Sequence, residues 1–193
     1  MSTHITFIGN CQTLSLCFFF QQLLENQNYS IYWISYDDEF NEHVQGWADK
    51  CKNKILFFDE AIERIKESDI IIYQEIRLDK SAFSNRQKLL EIKKDTCRLI
   101  TVPSIRFDYN DYEKSINKLI IRENTKNIDI KVSNIFNKFK KFKLMLSPRH
   151  PKTSFFLEMV KELCILLDIP FFTKEKYKTF IENNNFMELP IEI

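Results

Sequence analysis

Short apolar runs alternate with amphipathic segments along the first half of the chain, and this alternation constrains the fold more than any other feature. The clearest runs are residues 5–8, 69–74 and 98–102. Short continuous apolar runs of this kind predict strands buried on both faces. Buried strands alternating with helices indicate an α/β fold, a parallel sheet flanked by helices. At 193 residues the chain suits one full core better than two, so we predict a single domain over residues 1–193.

The other segments divide the chain into a mixed first half and a more helical C-terminal half. Apolar residues at helical spacing predict helices at 13–26, 58–68, 84–95, 112–122, 132–142 and 153–167. Residues 29–35 alternate as a strand does, and the acidic stretch 36–54 is expected to form a loop with a short helix. Pro148 and Pro151 flank Arg149 and His150, so no regular structure is expected there.

Composition and charge argue against several functional classes. A net charge of +1 gives no broad electrostatic reason to expect nucleic acid or an anionic membrane as a partner. No apolar run approaches the roughly 20 residues that span a bilayer, and no secretory signal is evident. We therefore expect a cytoplasmic protein with no integral membrane segment. The five cysteines include no C-x-x-C pair, which argues against a zinc site and a dithiol redox site.

The tetrapeptide Gly9-Asn10-Cys11-Gln12 lies between the first predicted strand and helix, and it is the best candidate for a reaction centre. It uses one of only two glycines in the chain, a residue type that permits close backbone approach and unusual backbone angles. The N–H groups and partial positive charge of a helix N-terminus favour ionisation of a thiol placed there. Cys11 is therefore a candidate nucleophile. The alternative is a small buried apolar residue, as many free cysteines are.

Three loops are predicted to leave the carboxyl ends of the strands, where ligands bind in parallel sheets. They are residues 9–12, 74–77 and 103–109. Cysteine chemistry needs a base, and His150 is the histidine best placed to supply one, although His-Pro before a helix can also serve as a cap and turn. Gln12 and Gln74 are neutral donors that can polarise a carbonyl at such an edge, or can hydrogen-bond the loop backbone instead.

Three arginines follow the candidate loops and the Pro-flanked dipeptide. Arg77, Arg106 and Arg149 each carry a guanidinium group of the kind that binds phosphate through two parallel hydrogen bonds. A phosphorylated ligand is therefore one interpretation. For each of these arginines, the alternative interpretation is an ion pair at the protein surface.

Together these segments resemble the WcbI-type capsular polysaccharide biosynthesis proteins, which are regarded as acyltransferases that bind coenzyme A. The matching pieces are Gly9-Asn10-Cys11-Gln12, the run 68–74, the segment 102–109, and His150-Pro151 with Thr153. They occur in the family order and span most of the chain. Family members often have Asn where this chain has Arg149, and the region between Tyr109 and Lys143 is divergent.

The resemblance implies a bacterial acyltransferase that moves an acyl group, most readily acetyl, from acyl-coenzyme A to a sugar hydroxyl of a surface polysaccharide or its precursor. Cys11 would be the nucleophile or line the reacting centre, and His150 would be the general base. Gln12, Gln74 and backbone N–H groups near Gly9 and Asn10 would polarise the carbonyl. Arg77, Arg106 and Arg149 would be candidates for the coenzyme phosphates. Direct attack by the sugar hydroxyl, without an acyl-Cys intermediate, fits equally well.

Two other functions stay open. The strand–Gly–nucleophile–helix layout also resembles the SGNH esterases, with cysteine replacing serine on an SGNH/flavodoxin-like core, which suggests a thiol hydrolase. A non-catalytic module of polysaccharide assembly that binds a nucleotide or coenzyme is the third possibility. The acceptor sugar, the acyl group and any homo-oligomer are not determined by the sequence.

Overall fold

The structure is a computed structural model, and it describes residues 2–24, 28–35, 54–55, 58–75, 83, 86–170 and 173–183. The strands are β1 (Thr3–Gly9), β2 (Tyr29–Ser35), β3 (Lys54–Ile55), β4 (Ile70–Glu75), β5 (Arg98–Pro103), β6 (Met145–Ser147) and β7 (His150–Pro151). The helices are α1 (Cys11–Leu24), α2 (Phe58–Glu67), α3 (Arg86–Ile92), α4 (Tyr112–Thr125), α5 (Val132–Lys138), α6 (Thr153–Leu167) and α7 (Lys174–Asn183). A 3₁₀ turn at Tyr109–Asp111 precedes α4.

Strands β1 to β5 form one parallel sheet in the order β3-β2-β1-β4-β5. This confirms the predicted α/β class with a parallel sheet. The order reverses direction at β1, so the connections that follow β1 and β4 leave their carboxyl ends in opposite directions, and this edge is where ligands bind in such sheets. The register aligns Ile8 with Tyr73 and Tyr73 with Thr101. Gly9, Gln74 and Val102 therefore lie side by side at that edge.

Both faces of the sheet are covered, because alternate strand residues point to opposite sides. Phe7, Trp33 and Ile72 face a large core that contains buried residues of α1, α4, α5 and α6. Ile8, Ile34 and Tyr73 face a smaller core with residues of α2 and α3. Helices α1 and α6 thus share one face of the sheet, although about 130 residues separate them along the chain.

The helix bounds follow the predictions closely at 58–67, 112–125 and 153–167. Helix α5 is shorter than predicted and ends at Lys138, after which the chain turns. The acidic stretch 36–53 lies outside the described residues. Within the described part of the chain, no helix combines the length and apolar character needed to cross a bilayer.

The expectation of irregular structure at Arg149-His150 is wrong for the histidine. Residues His150 and Pro151 form β7, which pairs antiparallel with β6 in a separate two-stranded hairpin. Ser147 is paired with His150, so Pro148 and Arg149 form a two-residue turn between them. A strand this short tolerates Pro151 because little of a hydrogen-bond ladder depends on its missing N–H.

Candidate active site at the carboxyl edge of the sheet

Gly9 ends β1 where the chain turns directly into α1, and the space around it explains why it is a glycine. A Cβ at this position would lie 2.7 Å from Cβ of Thr13 and 2.9 Å from Cβ of Gln74. Its φ is not positive, so the unusual backbone angles expected from the sequence are not the reason. Gly9 is needed because α1 and β4 approach its backbone closely.

Asn10 is the N-cap of α1. Its side-chain Oδ1 accepts a hydrogen bond from the N–H of Gln12 at 2.9 Å, and its carbonyl accepts the first helical bond from Leu14 N–H at 3.0 Å. The N–H of Asn10 itself donates to Oε1 of Gln74 at 3.1 Å. The cap therefore fixes Cys11 as the first residue of the helix, beside N–H groups that have no partner within it.

Gln12 connects four parts of the site through one buried amide. Its Nε2 donates to the carbonyls of Ile105 and Arg149, both at 2.8 Å. Its Oε1 accepts from the N–H of Ile105 at 2.8 Å and from Nε2 of Gln74 at 3.0 Å. Both amide hydrogens are thus donated to backbone carbonyls. This matches the predicted alternative in which Gln12 hydrogen-bonds the loop backbone. In this arrangement Gln12 is a positioning residue, because it joins α1 to the loop after β5 and to the turn before His150.

Gln74 lies at the end of β4 and is 1% exposed. Its Oε1 accepts from Asn10 N–H and from the hydroxyl of Thr13 at 3.0 Å, while its Nε2 donates to Gln12. Gln74 therefore holds the β1–α1 turn against β4. The three loops expected at this edge do meet, at residues 9–12, 74 and 103–105; residues 76–77, including Arg77, lie outside the described part.

The Cys11 thiol is half-buried, and its environment differs from the one expected at a helix N-terminus. Burial raises the pKa of the Cys11 thiol above its ordinary value, because a thiolate is poorly solvated there. The backbone N–H groups of Gln12 and Cys11 oppose this shift but do not outweigh it. The expectation of an easily ionised thiol is therefore wrong for this structure. Cys11 carries its proton at neutral pH and needs a base to become a nucleophile.

His150 is exposed on β7, and its ring is oriented by a residue that the motifs did not single out. Nδ1 of His150 lies 2.6 Å from Oγ of Ser147 across the two-residue turn. With Nδ1 occupied, Nε2 is the ring nitrogen left to exchange a proton with a ligand. Ser147 can be found from the sequence only if the hairpin is recognised, since a two-residue turn pairs the residues on either side of it.

Cys11 and His150 line the same cavity, which has a volume of about 310 Å³. The cavity lies between the first turns of α1, the β6–β7 hairpin and the start of α6. Its other lining residues are Gln12, Leu14, Ser15, Phe19, Leu146, Pro151, Thr153 and Phe156. The volume is at the small end of the range for ligand pockets, about 300–1,000 Å³. The apolar wall formed by Leu14, Phe19 and Phe156 was not anticipated from the sequence.

The two described candidate phosphate ligands are both exposed. Arg106 follows Ile105, and Arg149 lies in the turn before His150. They flank the points at which Gln12 holds the backbone, since Gln12 binds the carbonyls of Ile105 and Arg149. Phe107 N–H also donates to the carbonyl of Pro148 at 2.8 Å. The chain segments that carry the two guanidinium groups are therefore joined to each other beside the cavity.

Among the described residues, no cluster of three or more histidine, cysteine or acidic side chains is arranged to hold a metal ion. The other described cysteines, Cys17, Cys97 and Cys164, are buried.

No protein-family model matches the chain, and no curated protein matches it significantly.

Proposed function

We propose that this protein is a coenzyme A-dependent acyltransferase that transfers an acyl group to a sugar hydroxyl of a surface polysaccharide or its precursor. The observation that carries the proposal is that Cys11 and His150 line one cavity, beside the helix that begins directly after the carboxyl end of β1. The order of the matching motifs, and their resemblance to the WcbI-type proteins, supplies the substrate class. An SGNH/flavodoxin-like core belongs to the proposal as well.

The cavity suits the reactive end of an acyl-coenzyme A better than the whole molecule. At about 310 Å³ it accommodates the acyl group and the thioester, and the attached thiol arm would lead out of it toward the surface. The nucleotide would then lie outside, where Arg106 and Arg149 are exposed on the surface. Guanidinium groups there suit the coenzyme phosphates, which stay near solvent.

One route uses Cys11 as the nucleophile. Nε2 of His150 takes the thiol proton, and the sulfur attacks the carbonyl carbon of the acyl-coenzyme A. The thioester C–S bond breaks, and the leaving coenzyme thiolate takes the proton from His150. A sugar hydroxyl then gives its proton to His150 and attacks the acyl-Cys, and the departing Cys11 thiolate recovers that proton. The raised pKa of Cys11 makes His150 essential in this route.

The second route has no acyl-enzyme. His150 takes the proton of the sugar hydroxyl, whose oxygen attacks the thioester carbonyl directly. The coenzyme thiolate leaves with the proton from His150, and Cys11 lines the reacting centre without bonding to it. Ser147 supports His150 in both routes, because its contact with Nδ1 directs Nε2 to the substrate.

The test is acetyl-coenzyme A binding and thioester cleavage by the purified full chain, with sugar acceptors and with water. We expect saturable binding at micromolar concentration in the wild type, and a loss of turnover of about 10²- to 10⁴-fold in His150→Gln. His4→Gln is the matched control, since His4 lies at the opposite end of β1. A mass increase of one acyl group on Cys11 separates the first route from the second.

Full activity in both Cys11→Ala and His150→Gln would refute the assignment of this centre. Cleavage of simple activated esters without any requirement for coenzyme A would instead indicate the thiol hydrolase. Coenzyme A binding with no turnover that depends on either residue would indicate the non-catalytic module.

A further inference from the structure

The cavity extends along one face of α1, away from Cys11. Cys11, Ser15 and Phe19 all line it, and their spacing of four residues places them in a row on the helix surface. Eight residues of helix advance about 12 Å. We refer to the part of the cavity that follows this row, from Cys11 to Phe19, as the channel.

Aromatic rings line the far end of this channel. Phe19 and Phe156 stack with their ring centroids 5.8 Å apart and their planes at 25°. Phe19 also contacts Phe180 of α7 edge-on at 5.9 Å. Phe19 and Phe156 are both buried, so this end is a packed apolar wall.

The cavity is lined by three polar side chains besides Cys11 and His150: Thr153 is the first residue of α6, and Gln12 and Ser15 on α1 offer little to a polar ligand. The hydroxyl of Ser15 donates to the carbonyl of Cys11 within its own helix at 3.0 Å. Both amide hydrogens of Gln12 are used on the carbonyls of Ile105 and Arg149. Leu14 adds an apolar surface beside them. Polarity therefore falls along the channel from Cys11 and His150 toward the phenylalanines.

The volume also exceeds what an acetyl group needs. A cavity of only about 10–15 Å³ holds one water molecule, so a volume of about 310 Å³ is well above what an acetyl group and the thioester sulfur need. A polar acceptor gains no hydrogen bonds at the aromatic end, whereas an alkyl chain gains apolar contacts there.

We propose that the transferred group is an alkyl acyl chain of about four to eight carbons, a range set by the channel's length and volume, rather than acetyl. This inference rests on the proposed acyltransferase function. The carbonyl carbon lies between Cys11 and His150, and the chain runs past Ser15 to Phe19 and Phe156. The bond changes are those given above, since the thioester C–S bond breaks and the chain itself takes no part.

The experiment is calorimetric binding of acetyl-, butanoyl-, hexanoyl-, octanoyl- and dodecanoyl-coenzyme A to the full chain, followed by thioester cleavage rates. Each methylene buried in the channel is expected to tighten binding by about fourfold until the channel is full. Hexanoyl-coenzyme A should therefore bind at least about tenfold more tightly than acetyl-coenzyme A. Dodecanoyl-coenzyme A should lose part of that advantage.

Ser15→Leu fills the middle of the channel and should reduce the preference for hexanoyl over acetyl. Ser154→Leu is the matched control, because Ser154 is half-buried on α6 outside the cavity lining. Leu146→Asp is a second probe that leaves the core intact, since Leu146 is 69% exposed. It should weaken the binding of hexanoyl-coenzyme A more than that of acetyl-coenzyme A, because it places a charge beside the acyl chain.

Saturable binding in which acetyl equals or exceeds hexanoyl would overturn this inference and leave the acyltransferase proposal standing. An unchanged hexanoyl preference in folded Ser15→Leu and in Leu146→Asp would overturn it too, because the chain would then lie elsewhere. No binding of any acyl-coenzyme A at millimolar concentration would refute the proposed function, and this inference with it.

Discussion

The two sides of the cavity are built in different ways. Cys11 begins a 14-residue helix whose first turn is capped by Asn10 and held against β4 by Gln74. His150 is exposed and lies on a strand of two residues. Its ring is hydrogen-bonded to the hydroxyl of Ser147, three residues earlier. The cysteine side is therefore positioned by the sheet and the large core. The histidine side is positioned by a local hairpin.

Gln12 links these two sides. Its amide belongs to α1, yet it donates to the carbonyl of Arg149, the residue before His150. The hairpin is thereby tied to the helix that carries the thiol. The thiol is therefore preorganised by the fold, whereas the position of the histidine depends on one buried amide and one hydroxyl.

Loss of the Gln12 amide, which links the two sides of the cavity, should change the protein most. Gln12→Ala removes the hydrogen bonds of the amide and leaves the buried carbonyl and N–H of Ile105 without their partner. We expect the free energy of unfolding to fall by about 3 kcal/mol, measured by urea denaturation. Gln21→Ala is the control in the same helix, because Gln21 makes one described bond, to the carbonyl of Ile31 at 3.1 Å. Equal losses in the two variants would contradict the bridging role of Gln12.

A smaller effect is expected on the hairpin side. Ser147→Ala removes the partner of His150 Nδ1 but no core contact, so stability should change by less than about 0.5 kcal/mol. The loss of one neutral hydrogen bond, about 1 kcal/mol, corresponds to a roughly five- to tenfold fall in kcat. Ser147→Thr keeps the hydroxyl and should restore the rate and the pH profile. A fall in stability with no change in kcat would assign Ser147 to the hairpin alone.

The ionisation of the Cys11 thiol should show the smallest effect. Its pH dependence tests the cysteine side of the cavity without involving the histidine side. Because burial raises the pKa of Cys11, its alkylation by iodoacetamide should increase with pH through a midpoint above that of the denatured chain. The folded state holds the proton more tightly. This contribution to stability is therefore complete below the denatured-state pKa and is lost as pH rises through the folded-state pKa.

Peptide mapping by mass spectrometry assigns the alkylation to Cys11. A midpoint below that of the denatured chain would mean that Cys11 and His150 form a thiolate–imidazolium pair in solution. The distinction between the two sides of the cavity would then disappear.

Much of the fold is contained in local sequence patterns. The apolar runs of β1, β4 and β5 and the helical spacing of α2, α4 and α6 are recognisable within windows of 5 to 15 residues, because strand and helix periodicity are local properties. The position of Gly9, Gln12 and Gln74 at one sheet edge follows from the parallel order of those strands. The hairpin of β6 and β7 was missed, because prolines on both sides of Arg149-His150 indicate an irregular loop.

Local sequence patterns were enough to predict the class of the fold, the place of the first loop at the sheet edge and the residue types available there. The contacts that those residues make depend on the assembled fold. The amide of Gln12 donates to the carbonyl of Arg149, which is 137 residues away, and burial in the folded chain raises the pKa of Cys11. Desolvation and long-range hydrogen bonds depend on which surfaces meet, and the chain specifies those surfaces only when the whole core has assembled.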